Sequence, residues 1–182
     1  MGKIYENIED RLRAWIDEQH VFFVGTAPLA ATGHVNVSPK GLRGSFKVLD
    51  PQRFAYLDFV GSGVETIAHL RENGRIVIMF MALAGPPKIV RLHGRGRAVF
   101  PDEPGYRALR PHFGDFVGER AIIDVDVTRV ADSCGYAVPR YTLSGERDLL
   151  ERWAEKKGED GLATYQREKN SVSIDGLPGM ER

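Results

Sequence analysis

Apolar residues recur at helical spacing over Ile4, Ile8, Leu12, Trp15 and Ile16, with Asp, Glu and Arg on the opposite face. This spacing predicts an amphipathic helix ending near Gln19. His20–Thr26, rich in aromatic and β-branched residues, predicts a buried strand. Ala27–Gly33 then turns the chain into a short alternating strand, His34–Ser38, so a hairpin is expected. Ser45–Leu49 and Arg53–Phe59 predict strands on either side of the turn signal Asp50-Pro51. Gly61-Ser62-Gly63 opens a helix to about Glu72, closed by Asn73-Gly74. Arg75–Met81 is apolar almost throughout, as in a strand covered on both faces, and Ile89–Phe100 is a long strand containing Gly94 and Gly96. A helix from about Glu103 to His112 precedes the alternating strand Ala121–Val130. Gly145–Lys157 and Leu162–Lys169 read as charged, peripheral helices, and the last dozen residues as a tail.

Many short strands, with few helices between them, exclude the regular strand–helix alternation of a doubly wound sheet. The pattern predicts a mainly β protein with helices: a mostly antiparallel barrel, with Gly94 and Gly96 bending one strand round a corner.

Composition adds limits. The 182 residues, 42% hydrophobic and 27% charged, suit one soluble globular core. Equal numbers of basic and acidic residues, 25 each, give no bulk charge for nucleic acid. The single cysteine, Cys134, forbids an internal disulfide and suits a reducing compartment. With no signal-peptide pattern and no apolar run long enough to span a membrane, a cytoplasmic protein is expected.

Three segments carry candidate chemistry. In His34-Val-Asn-Val-Ser-Pro-Lys-Gly41, proline and glycine predict a sharp exit from the strand after Ser38. That exit would leave the Ser38 hydroxyl, the Lys40 ammonium and several backbone N–H groups on one rim, suited to an anionic or heteroaromatic ligand; an ordinary turn with a solvated lysine is the other reading. Ser62-Gly63-Val64-Glu65 has the form of a capping box, yet the same helix end, with Thr66, could hold a phosphate. Arg91, His93, Arg95 and Arg97 share one strand face by period-two spacing, either as a solvated face or as an anion site. The alternation of Asp124 and Asp126 is expected to turn both carboxylates outward. Trp15 and Trp153 read as core or subunit-contact residues. The five histidines lack metal-ligand spacing, and no serine sits in a nucleophile elbow.

In order, these pieces resemble the FMN-binding split barrels of the pyridoxamine 5'-phosphate oxidase-like superfamily over about residues 8–131. The resemblance rests on the first helix, Asn36-Val-Ser-Pro-Lys-Gly41, Phe54-Ala-Tyr-Leu-Asp-Phe59, Gly61–Thr66 and Arg91-Leu-His-Gly94. It implies a split β-barrel over residues 1–145 followed by a helical extension and tail over 146–182. It further implies a homodimer with FMN at the subunit interface and a small-molecule substrate. Val37, Ser38, Pro39, Lys40 and Gly41 would run along the flavin ring and ribityl chain, Ser62 and Thr66 would sit near the phosphate, and Arg91 would add charge there. Two departures stand out: no lysine follows Ser62 in the Ser-x-Lys position, and the oxidase's C-terminal Arg-x-His element is missing. The resemblance therefore implies FMN and an oxidoreductase rather than pyridoxamine phosphate as substrate. Relatives on this fold that use the deazaflavin F420 or haem, and a non-enzymatic flavin-binding protein, are the alternatives.

Overall fold

A computed structural model describes residues 2–180. The chain runs β1 (Ile4–Tyr5), α1 (Asp10–Asp17), β2 (Val21–Thr26), β3 (Asn36–Gly41), β4 (Phe46–Asp50), β5 (Arg53–Phe59), α2 (Glu65–Asn73), β6 (Arg75–Met81), β7 (Ile89–Val99), α3 (Pro104–Leu109), β8 (Glu119–Ser133) and α4 (Leu149–Lys169). The strands form one sheet in the order β3-β2-β6-β7-β8-β5-β4, with β1 added to β8. Every pairing is antiparallel.

The sheet curls on itself. Phe22 of β2 and Phe80 of β6, near one end of the strand order, meet Phe46 of β4 and Phe54 of β5 at the other; the Phe22 and Phe46 ring centroids are 5.2 Å apart. Such contacts require the two ends to face each other. Yet β3 and β4, the strands at those ends, share no ladder although they follow one another in sequence. This is a split barrel.

Inner positions alternate as a half-buried sheet demands: Phe22, Val24, Ile76, Ile78, Phe80 and Leu92 are sealed inside. β5 is buried almost throughout because its other face, Ala55 and Leu57, lies under Leu109 and Phe113.

Several expectations are corrected. Ile4 and Tyr5 belong to β1, paired with Ala131 and Val130, so the first helix begins only at Asp10. The apolar spacing of Ile4 and Ile8 is helical, but the open edge of β8 captures the first residues, and the Tyr5 hydroxyl donates to Asp132 (2.5 Å). The C-terminal helical segment starts at Leu149 rather than Gly145, while its division into two helices is as expected: the break falls at Gly158 (φ 66°, ψ 174°) and lets Tyr165 fold back edge-on to Trp153, centroids 5.1 Å apart. Trp15 packs against the barrel core. The segment expected to be a tail is anchored: Asn170 Nδ2 donates to Gly61 O (2.8 Å), Arg71 to Gly179 O, and Val172 bridges Pro178.

Candidate functional site

β3 is extended through Gly41, and the chain turns only at Leu42 (φ 76°) and Gly44 (φ 88°). The predicted corner after Ser38 is therefore absent. Pro39 is tolerated because β3 is an edge strand, where a missing N–H need not break a ladder. The register Thr26↔Asn36, Val24↔Ser38 and Phe22↔Lys40 places Asn36, Ser38 and Lys40 on the inner face, leaving Val37 and Pro39 outside.

The inner-face side chains form two connected groups. In the first, Asn36 Nδ2 donates to the hydroxyls of Thr26 and Thr66, and Asn36 Oδ1 accepts from Ser38, all at 3.0 Å. Thr26 Oγ1 lies 3.0 Å from Nδ1 of the fully buried His69. Burial lowers the pKa of His69, favouring neutral imidazole. If Thr26 gives its proton to Nδ1, the ring proton sits on Nε2, a buried atom with no partner. Because the Ser38 proton points to Asn36, the Ser38 lone pairs are free to accept from a ligand. Asn36→Ala takes the amide partner from Thr66 and Ser38 and leaves Thr26 only its contact with His69; urea unfolding is expected to show a loss of about 1–3 kcal/mol.

The second group is ionic. Asp58, on β5 and fully buried, accepts from Lys40 Nζ at 3.2 Å and from Arg120 Nε at 2.6 Å. Burial alone would raise the Asp58 pKa, but Arg120 and Lys40 together bring it below the usual carboxylate range. Arg120 reaches inward through a bulge: Asp58 pairs with Ala121 and Phe59 with Glu119, so Arg120 is the extra residue in β8. Its other arm donates to Gly63 O (2.9 Å), tying the loop before α2 to the cluster.

The start of α2 is not the expected capping box. The cap position is Val64, and Ser62 is exposed and makes no capping bond. Glu65 instead accepts from the backbone N–H of Ile174 (3.3 Å). In the same C-terminal segment, Asp175 binds the backbone N–H of His34 at 2.8 Å and the His34 ring at 2.6 Å. The hydrogen bond to His34 lowers the Asp175 pKa. Residues 171–179 thus strap the beginning of α2 to the approach to β3.

Arg91 lies on the other face of the sheet, in the row Pro39–Phe23–Met79–Arg91, and bonds Ser133 (3.0 Å). A parallel row, Val37–Gly25–Val77–His93, makes this outer face largely apolar. The remaining arginines of β7 are engaged too: Arg95 on Asn73 O and Arg97 on Asp124. Asp124 lies on the outer face as expected, beside Arg53 and Arg97, but it is covered there rather than solvated and also takes two bonds from Arg53.

The structure therefore joins Ser38 to Thr66 through Asn36 and gives Lys40 a buried counter-ion. Val37 and Pro39 lie on the outer face with Arg91, Gly41 closes β3, and Ser62 stands apart on the surface. Sequence reasoning gave no role to Asp58, Arg120, His69 or Asp175. A carboxylate at an inward position of an apolar strand was a visible signal for the first; nothing local marks a bulge at Arg120. Among the described residues no group of three or more His, Cys, Asp or Glu could hold a metal ion, and no helix is long and apolar enough to cross a membrane.

A curled antiparallel sheet, open between β3 and β4 and carrying its polar groups along that opening, defines a split-barrel protein. Residues 8–134 match the sequence profile of the family described as pyridoxamine 5'-phosphate oxidase. The pyridoxamine 5'-phosphate oxidase family protein ustO of Aspergillus flavus is 42% identical over 198 residues, spanning 99% of this chain and 78% of that protein. The chain belongs to the pyridoxamine 5'-phosphate oxidase family. Among solved structures, HupZ from Group A Streptococcus superposes with a TM-score of 0.52 at 23% identity, covering 68% of this chain and 91% of that one. A protein from Bacteroides thetaiotaomicron, described as a putative 5-nitroimidazole antibiotic resistance protein, gives 0.51 at 15% identity, covering 72% and 87%. These two likenesses show the fold.

Proposed function

We propose that this protein is a homodimeric, FMN-dependent oxidoreductase acting on a small molecule. The observation that carries the reading is the buried Asp58–Arg120 pair holding Lys40 on β3, with Ser38 beside it offering free lone pairs, in a member of the pyridoxamine 5'-phosphate oxidase family. These residues fit the group: a cation suits an anionic isoalloxazine or phosphate, and a serine acceptor suits a ring N–H.

FMN, when bound, supplies the electron transfer, while the protein provides binding, orientation and electrostatics. Val37–Gly41 would follow the ring and ribityl chain, with Lys40 stabilising negative charge and Ser38 accepting a hydrogen bond. Thr66, and Ser62 at the loop, would lie nearest the phosphate. The carboxylates of Glu65 and Asp175 nearby disfavour a phosphate seated squarely on the α2 terminus. The outer face with Val37, Phe23, Val77 and Met79 is the surface proposed to pack against a second copy, which makes Arg91 a contributor to the partner's groove.

The purified protein is expected to be yellow, or to quench FMN fluorescence on titration. A colourless protein that leaves FMN unbound, or that prefers F420 by a wide margin, would reject FMN. Lys40→Ala and Arg91→Ala should each cost about 1.5–3 kcal/mol of FMN affinity. Mixing the two variants should restore binding to part of the mixed dimers; no recovery would place Arg91 outside the groove.

A further inference from the structure

The cluster of Lys40, Asp58 and Arg120 holds one carboxylate and two cations, so its members leave a positive charge unbalanced. Burial gives that charge a direction. Asp58 and Arg120 are sealed, whereas the Lys40 side chain is 23% exposed, so the charge opens outward at Lys40. The cluster also crosses the split: Lys40 belongs to the edge strand β3, while Asp58 and Arg120 belong to β5 and β8 on the far side. A lysine on an unpaired edge has a flexible four-carbon stem and three rotatable donors, and left alone it would sample many positions.

We infer that Asp58 is a positioning residue, drawing Lys40 across the split and fixing its ammonium at the open edge of the barrel so that the anionic part of a flavin meets a cation already in place. Arg120 holds the second carboxylate oxygen of Asp58 and, through Gly63 O, the loop before α2, so the anchor is itself immobilised. Asp58 touches no ligand in this arrangement and acts through Lys40. The inference rests on the flavin reading above.

Charge counting and positioning give opposite signs for one variant. Asp58→Asn makes the cluster more positive, so charge alone would tighten FMN; loss of the anchor weakens it. FMN fluorescence titration of Asp58→Asn is expected to show affinity lower by about tenfold or more. Affinity unchanged or improved would overturn the inference. A second measurement needs no flavin. In the flavin-free full-length protein, acylation by a water-soluble ester, followed by mass spectrometry, should modify Lys40 at least about fivefold more slowly than the exposed Lys156. Asp58→Asn should remove most of that protection, and protection retained in the variant would overturn the tie. Protection lost in a protein that binds neither FMN nor FAD would refute the flavin reading while upholding the tie. Should Asp58→Asn fail to fold, Asp58→Asn/Arg120→Gln keeps the net charge of the cluster and removes the stranded guanidinium; the same weakening is expected, and wild-type affinity would overturn the proposal.

Discussion

Phe22→Ala is expected to destabilise the protein by about 3–5 kcal/mol, the upper range for a buried aromatic truncation. Phe22 is fully buried, and its ring contacts Phe46, Phe54, Tyr56 and Phe80 with centroids 5.2–5.9 Å apart. Those partners come from three other strands, so truncation leaves a void where the two ends of the curled sheet meet. No backbone ladder there compensates, because β3 and β4 are unpaired. The void is therefore expected to relax poorly. Urea unfolding monitored by circular dichroism measures the loss; a change under about 1 kcal/mol would mean that the aromatic cluster does not hold the barrel closed.

Arg120→Met is expected to cost about 3–5 kcal/mol at neutral pH, because it removes the closer partner of a buried carboxylate. In the native protein the Asp58 pKa lies below its unfolded value, so the cluster contributes stability above the unfolded pKa and loses it as pH falls through the folded one. In the variant, burial of Asp58 is opposed by Lys40 alone, and the folded pKa moves upward. The penalty should thus be largest at neutral pH and shrink as pH falls from the raised folded pKa of the variant through the lowered folded pKa of the native protein. Unfolding at neutral and acid pH tests this, and a penalty independent of pH would assign the loss to packing.

Most strands are legible in the chain because they are rich in apolar, aromatic and β-branched residues, as in Val21–Thr26 and Arg75–Met81; the alternating burial of those two strands is not written in their sequence. The helix closed by Gly74 was equally plain, since a left-handed residue after Asn73 is what glycine supplies (φ 68°). The site was harder. Ser38 and Lys40 stood out by residue type, but Pro39 was read as a strand end when only the sheet order shows it to be on an edge. Ser62 and Glu65 have the spacing of a capping box, yet the distant Ile174 N–H claims Glu65. Arg120 becomes part of the cluster through a one-residue slip against β5, which no local pattern encodes. What was missed depends on partners far away in sequence.

The order of strands also sets the order in which the chain can assemble. β2 with β3, β4 with β5, and β6 with β7 are hairpins of neighbours and close short loops. Joining β2 to β6 and β5 to β8 must close much longer ones, the second spanning Phe59 to Glu119, and so carries the larger entropic barrier. Three hairpins are thus free to form early, and among the seams that join them through β8 the two closing the longest loops, β2–β6 and β5–β8, set the rate of folding.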